Sequence, residues 1–96
     1  MARVELTAAA VADLERLIRT HSLPTDTKRR VKRVLVLLRR FPRLGPELGG
    51  RWRNFRFVLG PWRWMLIVYV FLEDDDRVVV VTIQDGRSSS AATAER

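Results

Sequence analysis

The 96-residue chain has no cysteine, which removes disulfides, thiolate metal sites and cysteine nucleophiles together and fits a reducing compartment. Its single histidine, His21, cannot build a metal site alone. Long apolar runs are missing too. The longest, Trp64 to Leu72, is nine residues, against about 20 for a spanning helix. The opening Met1-Ala2-Arg3-Val4-Glu5-Leu6 contains nothing resembling a signal peptide. The chain therefore reads as soluble and cytoplasmic, with no membrane partner. Acidic residues are scarce where they would matter. Lys28 to Arg63 holds twelve of the eighteen basic residues and one acid, Glu47, so the net charge of +7 is concentrated in one segment. Such a pole attracts polyanions, and nucleic acid, a ribosome or an acidic protein are the partners it suits.

What is present suffices for one folded domain over residues 1–96. Apolar residues make up 47% and charged residues 30%, outside the composition of disordered chains. Arg3-Val4-Glu5-Leu6 alternates as a short half-buried strand does. Thr7 can cap a helix from Ala8 to about Thr20, where Val11, Leu14, Leu17 and Ile18 recur at helical spacing. His21 falls on that stripe and reads as a helix-end boundary histidine rather than a catalytic one. Ser22 to Asp26 interrupts the pattern, and a second helix runs from Thr27 to about Arg40, before Pro42. On it Val31, Val34, Leu35 and Leu38 form a core stripe, and Lys28, Arg29, Lys32 and Arg33 belong to a cationic face suited to nucleic acid, as are Arg51 and Arg53 further on. Val36 and Leu37 flank the stripe and offer a docking line for a partner helix.

A Gly/Pro-rich loop then precedes two strands, Asn54 to Leu59 and Trp62 to Leu72, around Gly60-Pro61, whose composition suits a tight hairpin turn. If Leu59 opposes Trp62, one face carries Phe55, Phe57, Leu59, Trp62, Trp64, Leu66, Val68 and Val70. This face is expected under the helices. The other carries Trp52, Asn54, Arg56, Val58, Arg63, Met65, Ile67 and Tyr69, and is expected to be the open, working face. A last strand, Arg77 to Ile83, adds Val78 and Val80 to it. The polar stretch 88–96 is expected to be flexible.

This order of strand, two-helix hairpin and three consecutive antiparallel strands, an α+β fold with its helices on one face of the sheet, resembles toxins of the RelE/ParE superfamily. The local signatures are the Val-Glu-Leu-Thr opening, Leu48-Gly49-Gly50, Phe55-Arg56-Phe57-Val58-Leu59-Gly60-Pro61-Trp62-Arg63, and Ile83-Gln84-Asp85-Gly86-Arg87-Ser88. The resemblance implies the toxin of a type II toxin–antitoxin pair, with a cognate acidic antitoxin as partner in a hetero-oligomer and no cofactor. RelE-type members cut mRNA, usually within the ribosome, and ParE-type members inhibit DNA gyrase without cutting RNA. By position in the matched motifs Arg56, Arg63 and Arg87 resemble the family's basic and phosphate-contacting residues, and Tyr69, the one tyrosine of the chain, falls on the open face with Arg56 and Arg63, where it could act as a base only with its pKa lowered by several units. RNA-cleaving members commonly keep a tyrosine or histidine after the final arginine; here Ser88-Ser89-Ser90-Ala91-Ala92-Thr93 has neither. The antitoxin is expected on the open face, at Val58, Met65, Ile67, Val78 and Val80, and along Val36 and Leu37. A third reading, a stand-alone nucleic-acid-binding protein, rests on Trp52, Trp62 and Trp64 interleaved with Arg51, Arg53 and Arg63.

Overall fold

The computed structural model of the chain describes residues 1–88 and 90–95. Strand β1 (Arg3–Leu6) leads into helices α1 (Ala8–Thr20) and α2 (Thr27–Arg40), followed by strands β2 (Arg56–Leu59), β3 (Met65–Leu72) and β4 (Arg77–Asp85). The sheet order is β1-β4-β3-β2. β1 runs parallel to β4, and β2, β3 and β4 form an antiparallel meander. Both helices start and stop where the periodicity of the sequence changes. Thr7 caps α1, its hydroxyl accepting from the Ala10 N–H at 3.1 Å, which satisfies a donor that the first turn leaves without a partner. At α2 the N-cap Asp26 makes no such bond. It instead accepts from Arg30 Nε one turn on, at 3.0 Å.

The two β2 and β3 residue sets are those expected from alternation, but their faces are exchanged. Met65, Ile67, Tyr69, Val78, Val80 and Ile83 are fully buried in one cluster with Leu14, Leu17, Val31, Leu35 and Leu38 of the helices. The side that carries Leu66 and Val68 forms a second cluster with Leu48, Ala91 and Ala92, flanked by Trp52, Phe55 and Phe57. A period of two separates the faces of a strand without saying which one a helix covers, and here both are apolar. The C-terminal residues decide it. In the described part of the stretch expected to be flexible, Ala91 and Ala92 are buried and Ala92–Glu95 forms a 3-10 turn, held by the Ala92 N–H donating to the Gln84 side chain at 2.8 Å. Ser89 and Arg96 lie outside the described residues.

The hairpin register differs as well. Leu59 opposes Leu66, not Trp62, and Arg56 opposes Tyr69. The turn at Gly60-Pro61 is therefore wider than two residues: the Gly60 N–H donates to the Met65 carbonyl and the Met65 N–H to the Trp62 carbonyl. β2 starts at Arg56, because Asn54 takes a left-handed conformation, φ 78°, which interrupts an extended strand. Between β3 and β4 the partners pass from Val68 with Thr82 to Tyr69 with Val80. Val81 is left unpaired as a bulge, and the shifted phase puts Ile83 into the helix-side core.

Candidate functional site

The sequence-derived site residues separate into two places. Arg56 and Tyr69, cross-strand partners on the helix side, converge on the backbone of Gly45. The Tyr69 hydroxyl accepts from the Gly45 N–H at 3.0 Å, and Arg56 Nη1 donates to the Gly45 carbonyl at 2.8 Å. Arg56 Nη2 also reaches Glu47 at 3.2 Å. Tyr69 is fully buried. Burial pushes its phenol above the ordinary tyrosine range, and the Gly45 N–H and the Arg56 charge offset this only in part. A neutral, enclosed phenol is a poor proton acceptor. This pair fastens the 43–47 loop to the sheet, and the geometry gives neither residue a place at an open catalytic surface.

Arg63 and Arg87 lie elsewhere, at the end of the sheet where β3 begins and β4 stops. The Gly86 N–H donates to the Trp64 carbonyl at 2.6 Å, so the residues flanking that pair, Arg63 and Arg87, leave from adjacent stretches of backbone. Arg63 is exposed. Arg87 is clamped by Asp85 through Nε at 3.0 Å and Nη2 at 2.8 Å, with its own N–H also bonded to that carboxylate at 2.9 Å. Its guanidinium carbon lies 4.9 Å from the centre of the Trp64 ring. A guanidinium has five N–H donors. Two are used on Asp85, and those that remain belong to a side chain 61% exposed to solvent. Asp85 thus orients Arg87 rather than exhausting it. The same contacts hold the Asp85 carboxyl far below the usual carboxylate range: the Arg87 side-chain bonds act most and outweigh the opposing effect of burial, and the Arg87 backbone N–H and His21 lower it further. Arg87 in turn is pushed up by Asp85.

Sequence reasoning missed two members of this cluster. His21, the C-cap of α1, brings Nε2 to 3.2 Å from Asp85 Oδ2 and Nδ1 to 3.0 Å from the Thr20 hydroxyl. Its ring stacks on Trp64, centroids 4.6 Å apart and planes 16° from parallel. Trp62 continues the stack at 6.3 Å from Trp64 and is covered by Arg30 at 5.7 Å, contacts of the cation–π kind. Asp85 carried a local signal, since Asp-Gly-Arg lets an aspartate bond the backbone two residues on. His21 carried none, because 64 residues separate it from Asp85.

The other expected binding residues fall on different surfaces. Lys28, Arg29, Lys32 and Arg33 are exposed on α2, and Arg51 and Arg53 are exposed around the following loop; Lys28 lies 3.5 Å from Glu15 and Arg29 3.8 Å from Asp26. Met65, Ile67, Val78 and Val80 are fully buried beneath the helices and Val58 is partly buried against them, so these five do not form the open docking face that alternation suggested. Val36 and Leu37 are exposed, as expected. Val36 lines a groove of about 640 Å³ between α1, α2 and β1. Val4, Leu6, Val11 and Leu35 make its walls, and Lys28, Lys32 and Arg39 its cationic rim. Trp62 and Trp64 pack against the helix-side core with their rings already in contact, which leaves little free ring face for bases.

Among the described residues no group of three or more His, Cys, Asp or Glu could hold a metal ion, and no helix is long and apolar enough to cross a membrane. By sequence, residues 4–89 match the family described as ParE toxin of type II toxin-antitoxin system, parDE. No curated protein matches the chain. Solved structures with a similar fold include the isolated RelE toxin of E. coli, at 13% identity over 99% of this chain and 95% of that one, TM-score 0.68. The toxin of the intact E. coli RelBE toxin-antitoxin complex is 14% identical over 88% and 96%, TM-score 0.67. A metal-bound toxin from Helicobacter pylori is 18% identical over 91% and 97%, TM-score 0.67.

Proposed function

Since the chain belongs to the ParE toxin family of type II toxin–antitoxin systems, within the RelE/ParE superfamily, we propose that it arrests growth by acting on RNA at the Arg63–Arg87 end of its sheet, as RelE-type members do, and that an acidic antitoxin restrains it. The observation that carries this reading is Arg87, fixed on Trp64 by Asp85 with unused donors turned to solvent, next to an exposed Arg63. Phosphate gains charge when its ester bond is broken, and arginines held in advance stabilise that charge without having to reorganise. Arg63→Ala and Arg87→Ala should each remove one charge-assisted contact, about 1.5 to 3 kcal/mol, and so lower RNA cleavage roughly ten- to a hundredfold. The measurement is cleavage of messenger RNA in a translating extract, beside growth on induction. Wild-type protein that cuts no RNA sinks the reading.

A second reading, inhibition of gyrase without cleavage, is favoured by the absence of tyrosine and histidine from Ser88 to Thr93 and by the enclosure of Tyr69. A supercoiling assay with the same preparations separates the two, since only this second reading expects gyrase to lose activity while RNA stays whole.

The α1–α2–β1 groove is the surface proposed for the antitoxin. Its apolar walls and cationic rim suit an acidic amphipathic segment that becomes ordered on binding. Val36 is 45% exposed there, so Val36→Asp costs the free fold little. It should weaken antitoxin binding by at least about tenfold, the equivalent of 1.4 kcal/mol. Titration calorimetry of the variant against the cognate antitoxin checks this, and unchanged affinity places the antitoxin elsewhere.

A further inference from the structure

No tyrosine or histidine follows Arg87 between Ser88 and Thr93, yet the fold supplies a histidine from a distant part of the chain. We propose that His21 is the proton-accepting residue of the Arg87 site. The inference rests on the RNA-cleavage reading above. Four features of the geometry support it. The ring is held on one face by Trp64 and at Nε2 by Asp85. Asp85 is itself fixed by Arg87. The side chain is 28% exposed. It opens on a polar depression of about 440 Å³ whose lining includes Asp13, Arg16, Thr20, Asp85 and Ser88.

The hydrogen bonds assign the tautomer. An ionised Asp85 only accepts, so the proton of the neutral ring sits on Nε2 and Nδ1 carries the lone pair. Nδ1 faces the hydroxyl of Thr20, at the mouth of the depression. This is the arrangement by which a carboxylate orients a histidine base and then stabilises the imidazolium. In the reaction Nδ1 takes the proton of a ribose 2′-hydroxyl that has displaced the Thr20 hydroxyl. The 2′ oxygen forms a bond to phosphorus, and the bond from phosphorus to the 5′ oxygen breaks. That oxygen takes a proton from water, and the imidazolium returns its own to the hydroxide left behind. The products are a 2′,3′-cyclic phosphate and a 5′-hydroxyl, with nothing oxidised or reduced. Arg87, which shares Asp85 and the Trp64 ring with His21, is the cation assigned to the phosphate.

Trp64 and Asp85 would also hold a purely structural histidine, so the test needs readouts that packing does not move. Wild type, His21→Ala and His21→Gln are compared for RNA cleavage in a translating extract, with thermal melting to monitor the fold. Glutamine keeps an N–H donor for Asp85 but cannot carry the proton. Both variants should cleave about 100- to 10,000-fold more slowly, the usual contribution of a general base. Added imidazole should restore part of the rate to His21→Ala. The wild-type rate should also fall at low pH as the ring becomes protonated, a limb absent from both variants. The charged groups facing the ring are Asp85 and Arg87 at the end of β4 and Asp13 and Arg16 on α1, and Asp13→Asn, as a control, should keep that limb. If wild type cleaves and His21→Gln cleaves within threefold of it, the role of His21 is overturned while the cleavage reading stands. Slow variants that keep the low-pH limb and show no imidazole rescue also overturn it. A wild type that cleaves no RNA overturns both.

Discussion

Ile67→Asp or Met65→Asp should unfold the free protein. Both side chains are fully buried between β3 and the helices. Ile67 faces Ile83 across the sheet, itself buried, and Met65 lies beneath the turn at Gly60, close enough that a methyl group there would meet its sulfur. A carboxylate at either position must be buried ionised and unpaired or protonated at a cost, and it also removes a large apolar side chain from a packed cluster. The expected loss is at least about 4 kcal/mol, most of the stability of a domain this size. Circular dichroism and urea titration read it directly. The same substitutions on an open antitoxin-binding face would leave the free fold intact, so the experiment decides between the observed packing and the one that alternation alone suggested. A cooperative transition within about 1 kcal/mol of wild type would show that these residues are not in the core.

Why the sequence was readable in some places and not in others follows from the range of the interactions. α1 and α2 begin and end as expected because their signals are local: the Thr7 cap, the apolar stripe through Leu14, Leu17, Val31, Leu35 and Leu38, and the proline after Phe41. Strand existence and the pairing of Phe57 with Val68's side of the sheet were equally local, since the slip of four residues, from Trp62 to Leu66 opposite Leu59, keeps parity. Orientation of the sheet was not. It depends on Ala91, Ala92 and Leu48 covering Leu66 and Val68, and small residues in a serine- and alanine-rich tail give no sign that they will be buried. The bulge at Val81, which brings Ile83 inward, had no glycine to mark it.

Legibility of the site divides in the same way. Arg63 and Arg87 could be singled out from motif position, and the structure puts them at one end of the sheet. Arg56 stood in an equally suggestive position, but its guanidinium is turned to the 43–47 loop. Its role depended on a loop whose path no periodicity describes. His21 was set aside because a histidine on an apolar stripe is ordinarily a packed one, and it does pack, on Trp64. The partner that makes it chemically interesting, Asp85, comes from the other end of the chain. Pairings of that kind are decided by topology, here the packing of α1 along β4, where Asp13 also bonds Thr82 and Ile83, and they become visible only once the helix is docked on the sheet.

Gly45→Ala should be the most damaging of the single-methyl changes. A Cβ there would be driven into the carbonyl of Phe57, a backbone group of β2, with a Val58 methyl group also in the way. Neither is the free end of a flexible side chain. The Phe57 N–H is bonded to the Pro46 carbonyl, so strand and loop are already tied together at this point. To admit the methyl group the loop must lift from β2, and lifting it strains both bonds that converge on the residue, from Gly45 to the Tyr69 hydroxyl and from Arg56 to the Gly45 carbonyl. Overpacking alone costs about 1 to 3 kcal/mol, and a buried tyrosine hydroxyl left without its donor adds about 1 to 3 kcal/mol more. The variant should therefore lose at least about 3 kcal/mol, measured as a fall in the urea midpoint with little change in slope. Its tyrosine should titrate at lower pH than in wild type once water reaches the phenol, because burial is the main cause of its raised pKa. A Gly45→Ala protein that melts with wild type, its phenol still protected, would mean that the loop does not lie on β2 at all, and the assignment of Arg56 to that loop would go with it.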